Sequence, residues 1–285
     1  MKQPPETAQR GVALIAVLWL VAAMSLITAG IVQSVRTEIR AVGLQRHAVI
    51  ANGLADAAIL LALQTLHAQQ QEPSTSMRLV PVQFEGVAYT VSVWPLNGLI
   101  DLNQAAPALL ADMYQYAGGL NPEAALARAQ ATIATRQLAS DKGVARGFGA
   151  VEDLLTVPGM TYDLYAKLSG LVTADLKGGS GRVNPMAAPP GVLVVLVGGN
   201  LARAADLAAK RDVDSTVMDT SFFKPEFIEL ASTRSLEVLV NVDLFSGAAM
   251  QKVWHVYWGT DPRTRLPWRQ LWSQQSIKPL AKSAY

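Results

Sequence analysis

Between Arg10 and Arg36 this chain carries no charge at all, and that stretch limits what the rest of it can become. Residues 12–32 read VALIAVLWLVAAMSLITAGIV, with Ser25 and Thr28 the only hydroxyl side chains. About 20 helical residues, each rising 1.5 Å, cross roughly 30 Å of hydrocarbon, so the run is long enough for one membrane crossing. It exceeds the apolar core of a secretory signal, about 7 to 15 residues, which favours a retained anchor over a cleaved signal. Lys2 and Arg10 precede it and Arg36, Arg40 and Arg46 follow, so flanking charge sets no orientation. The run also accounts for a charged fraction of only 16%, against the roughly 25% usual for soluble domains.

The 285 residues are enough for about two folded units. Past the apolar run, Ile39, Val42, Val49, Ile50, Leu54 and Leu61 recur at helical spacing among polar residues, which predicts an amphipathic helix over 33–72 that continues the apolar one. Together they make a rod on the order of 90 Å, ending where Gln69 to Pro73 turn polar and proline disfavours helix before it. LVPVQFEGVAYTVSVWP, from Leu79 to Pro95, alternates around Glu85-Gly86 and predicts a hairpin. Alanine- and leucine-rich segments broken by glycines then predict short helices, and β character returns after Ser235. The expected fold class is therefore α+β. Residues 73–98 and 200–285 would form an antiparallel-sheet unit, with 99–199 as an all-helical block inserted into it.

The chemical inventory is short. A net charge of +2 excludes a chain built mainly to neutralise phosphates, and the lack of cysteine removes disulfides and thiolate chemistry. His47, His67 and His255 are far apart and sit in no nucleophile-elbow or zinc-helix pattern. Asp212, Asp214 and Asp219 could offer oxygens to calcium, but they lack the EF-hand glycine and terminal glutamate, so a solvated loop is the plainer expectation. Two segments look like turn-to-helix signals. In the first, Asp101 or Asn103 would cap a helix opened by Pro107; in the second, Asn184 would do so ahead of Pro189 and Pro190. Pro158-Gly159 resembles the turn of a helix-hairpin-helix, whose amides can meet a phosphate. Residues 101–182 nevertheless carry eight acids against seven bases, and Glu152 and Asp153 precede the turn directly, which opposes nucleic acid. The aromatics Trp254, Tyr257, Trp258, Trp268 and Trp272 are expected in a sheet core, with anchoring of another subunit as the alternative.

Gln9, Arg10 and Gly11, placed directly before the apolar run, resemble the leader of type IV pilin-like proteins. In that family a prepilin peptidase cuts after the glycine and methylates the new first residue, which here implies Gly11 and Val12, with 1–11 as leader. Most members carry a glutamate at the fifth mature position, where this chain has Ala16. Its absence resembles the minor pseudopilin K family of type II secretion. A carboxylate in lipid is costly unless it is paired, and a subunit that lacks one can sit where the pairing neighbour is missing. In that family, segments of asparagine-threonine-alanine-proline character bracket an all-helical domain resembling a sterile-alpha-motif or helix-hairpin-helix fold. Asn103, Ala105 and Pro107 match the first, and Asn184, Pro189 and Pro190 align with the second, from which Met186 and Ala187 depart. The resemblance implies a non-enzymatic, single-pass inner-membrane protein with a cytoplasmic amino terminus and a periplasmic bulk. It would act at the tip of a pseudopilus and help to initiate assembly. Its partners would be other minor pseudopilins, the inner-membrane secretion platform, the prepilin peptidase and lipid. No nucleic acid is expected, and no cofactor beyond a calcium ion. The rival reading is a membrane-anchored helix-hairpin-helix protein that binds or takes up DNA.

Overall fold

The computed structural model describes residues 7–70, 75–138, 147–176, 178–213, 219–244 and 248–279. Residues 1–6 of the expected leader, the polar stretch from Gln71 to Pro73, Gly143 and Asp214 lie outside the described residues.

Helix α1 runs from Thr7 to Ala68, 62 residues, or about 93 Å at 1.5 Å each. Its span Leu14–Val35 has a mean hydropathy of 2.4 and none of it is buried in protein. Inside that span the hydroxyls of Ser25 and Thr28 donate to the carbonyls of Val21 and Met24, four residues back, so neither is left unsatisfied in an apolar medium. The helix ends slightly earlier than the polar run suggested. The amide of Gln69 still bonds the carbonyl of Thr65, and Gln70 turns left-handed (φ 50°), a conformation that cannot continue a helix.

Strands β1 (Arg78–Phe84) and β2 (Val87–Pro95) form the expected hairpin. Glu85 and Gly86 both take positive φ (50° and 78°), the two-residue turn whose twist matches that of the flanking strands. β5 (Ser235–Leu244), β6 (Ala248–Trp258) and β7 (Trp268–Pro279) complete an antiparallel sheet of order β1-β2-β5-β6-β7. On β5, Leu236, Val238, Val240 and Val242 face one way, onto α1, where Ala51, Ala55, Ala58, Ile59, Ala62, Leu63 and Leu66 are buried. The alanines let helix and sheet approach closely, and the larger residues supply most of the apolar area. Lys252 joins this face, where its Nζ donates to Asn52 (2.6 Å) and pairs with Asp56 (3.2 Å) on α1.

A second core occupies the middle of the chain. It is built from β3 (Ile100–Asp101), α2 (Pro107–Asp112), α3 (Pro122–Gln137), α4 (Tyr162–Leu168), β4 (Val172–Thr173), α5 (Pro190–Leu196) and α6 (Leu201–Val213). β3 and β4 pair in parallel as a small sheet of their own. Tyr114, Met113, Leu109, Leu110, Leu154 and Leu168 are fully enclosed there, and the Tyr114 hydroxyl is paired with that of Thr132 at 2.7 Å. Composition placed everything after residue 199 with the strands. Instead Ala204, Leu207 and Ala208 of α6, with Phe223 and Phe227, pack into the helical core. Four positions of α6 are buried, Ala204, Leu207, Ala208 and Arg211, too few to betray where it docks.

Candidate functional site

The connection from β2 to β5 carries the whole helical core, yet its ends meet: Pro95 lies opposite Leu236 in the sheet register. Buried asparagines hold this junction. The Asn97 amide donates to the carbonyl of Ala231, Asn184 donates from its side chain to the carbonyl of Thr75 (2.7 Å), and the Asn184 backbone amide bonds the carbonyl of Asn97 (2.7 Å). Gly98 runs so close to the Ala187 backbone that a Cβ there would overlap its carbonyl.

These contacts correct the capping expectation. The N-cap residue of α2 is Ala106 and that of α5 is Pro189, and neither caps through a side chain. The prolines behave as expected, Pro107 and Pro190 opening their helices without losing a needed donor. The polar residues do other work. Asn103 accepts from the Phe148 amide (2.7 Å) and donates to the Phe148 carbonyl (3.0 Å), clipping the 147–149 segment onto the core beside buried Ala105. Asn184 closes its own turn by accepting from the Met186 amide. One oxygen of Asp101 accepts from the Asn103 amide (2.8 Å). Burial pushes the Asp101 carboxyl up to about 6, against the pull of its bonds to the Asn103 and Gln104 backbones and the charge of Arg136.

The Pro158-Gly159 turn stands between a 3₁₀ turn, Val151–Thr156, and α4. Its backbone is partly occupied: the amides of Val157 and Met160 bond the carbonyls of Leu154 and Val157, and the Arg128 guanidinium donates to the Pro158 carbonyl. Gly159 is left-handed (φ 75°) and packed beneath that guanidinium. Asp153 accepts from the amides of Gly149 and Ala150. Two amides of the turn are thus committed, and the Arg128 guanidinium is itself tied to the Pro158 carbonyl. Of the candidate calcium ligands, Asp212 is paired with Arg211 (2.9 Å) and Asp219 accepts from the Ser221 amide.

At the amino end, Gly11, Val12 and Ala16 all lie within α1, and Ala16 is exposed. Further along α1, Val35, Val42, Val49 and Leu60 are exposed although apolar. At 100° per residue these positions and Gly53 fall within roughly 40° of one another, on the side opposite the sheet.

Where the helical core meets the second face of the sheet, a cleft of about 640 Å³ opens. His255 sits in its wall at a β-bulge, where the register slips so that His255 faces Trp272 and Val256 faces Gln270. Its Nδ1 lies 2.5 Å from Asp175 of the helical core, its Nε2 3.3 Å from Glu237 of β5, and its ring centroid 4.7 Å from that of Trp272. Burial alone would make this imidazole less basic. The hydrogen bonds and charges of Asp175 and Glu237 outweigh it and push His255 up to about 9. With both ring nitrogens engaged the imidazolium is held as a fixed charge that bridges the two cores. Sequence spacing gave no sign of this cluster, because residues 175, 237 and 255 meet only through long-range packing. Trp254 and Trp268 are buried as expected, whereas Trp272 is half-buried in the cleft wall.

No protein-family model matches this chain, and no curated protein matches it. The structure establishes an α+β chain whose amino-terminal apolar helix has the length and composition of a single membrane span or of a signal sequence.

Proposed function

We propose that this chain is a minor pseudopilin of the K type, a non-enzymatic subunit at the tip of a type II secretion pseudopilus that helps to start assembly with other minor pseudopilins. The observation that carries this reading is the single helix α1. It leads from an exposed apolar span into the core of an antiparallel-sheet unit and keeps an apolar stripe on the face the sheet leaves uncovered. Such a stripe fits lateral packing against similar helices, while Ala16 places no carboxylate in lipid that would need a neighbour's amine. In this reading 12–32 spans the inner membrane with the amino terminus in the cytoplasm, the sheet unit is pilin-like, and the helical core is an inserted domain whose bulk blocks further addition above it. Support for an insertion comes from Pro95 lying opposite Leu236 across a connection that holds a separate core.

The DNA-binding alternative loses support from the turn around Gly159, where the amides of Val157 and Met160 are already bonded, and from the eight acids against seven bases over residues 101–182. The deciding experiment is co-expression with a prepilin peptidase, followed by mass measurement of the mature chain. A start at methylated Val12 is expected, and a chain that retains Met1 would overturn the reading.

A further inference from the structure

The cleft between sheet and helical core is a trough with opposite charge at its two ends. Its floor follows the strands. His255, opposite Trp272, lies at one end, and Lys278, opposite Ala249, lies six residues along β6 at the other, roughly 20 Å away at 3.3 Å per residue. At the His255 end, Asp175 and Glu237 stay partly open to solvent (side chains 22% and 28% exposed), so two carboxylates outnumber the one imidazolium between them. Between the ends, half-buried Leu239 and Val253 give an apolar floor. A compact ligand cannot satisfy charges this far apart, and a polyanion would be repelled by the carboxylates. An extended backbone of about six residues has the right reach.

We propose that this trough binds an extended polypeptide segment bearing an arginine or lysine at one end and a carboxylate about six residues away. The cation sits against Asp175 and Glu237, the carboxylate against Lys278, and apolar side chains between them rest on Leu239 and Val253. Charge complementarity at both ends fixes the register of the bound segment.

The test uses the full chain in detergent micelles and two fluorescent heptapeptides, Arg-Ser-Val-Ser-Val-Ser-Glu and its reverse, in which both end charges and the valines share one face of an extended chain, so that either polarity is sampled. One of the pair is expected to bind at least about tenfold more tightly than the same peptide with serine at both ends. Lys278→Glu should remove that advantage, and replacing the peptide's glutamate with lysine should restore it on the variant, a rescue that a merely structural lysine would not give. Equal binding of charged and neutral peptides, no binding of either, or indifference to Lys278→Glu would each overturn the proposal.

Discussion

His255 links the two halves of the molecule through its protonation state. Unfolded, the imidazole titrates near 6.5; folded between Asp175 and Glu237, it titrates near 9. Between these values the native state holds the extra proton, so the stabilisation is complete below pH 6.5 and is lost as pH rises through about 9. Thermal melts of the wild type should therefore weaken between pH 7 and 10, and His255→Asn should flatten that slope while lowering stability at pH 7. A variant that melts with the wild-type slope would show that the carboxylates do not act through this ring. None of this could be read along the chain. Asp175 sits 80 residues from His255, in a segment whose composition marks only a loop. Asn103 and Asn184 were conspicuous in the sequence, but as helix caps; their bonds to Phe148 and Thr75 depend on segments brought in from elsewhere.

Elements with strong local determinants were the legible ones. The Glu85-Gly86 hairpin and the return of strands after Ser235 follow from turn chemistry or β-branched alternation. Helix α6 was assigned to the wrong neighbour because amphipathicity tells a helix to bury one face and leaves the partner open. The contact of α1 with the sheet is tight enough to test directly. Ile59 and Leu63 are fully buried against the strands, so Ile59→Ala or Leu63→Ala should each cost about 2 to 5 kcal/mol in denaturant unfolding. Val49→Ala, on the exposed stripe of the same helix, should stay within about 0.5 kcal/mol.

At the scale of the whole molecule, adjacency of Pro95 and Leu236 means that the sheet does not need the helical core to close. Antiparallel partners stand about 5 Å apart, a gap that a two-residue turn spans. Replacing residues 96–235 with Asn-Gly should therefore leave a chain that still shows strand-rich circular dichroism and cooperative unfolding, now with a shallower pH dependence because Asp175 has been removed. The complementary piece, 97–233, keeps its own buried cluster and should fold as a helical monomer. Loss of cooperative unfolding in both pieces would show that the two cores depend on each other. The unbroken length of α1 has a mechanical consequence. With no linker between the apolar span and the core, a membrane-spanning α1 would act as a lever, and an inclination of about 20° from the bilayer normal, common for single helices, would swing the far end sideways by roughly 30 Å. Under the proposed membrane-spanning reading, the lipid that sets this inclination steers where the folded head stands.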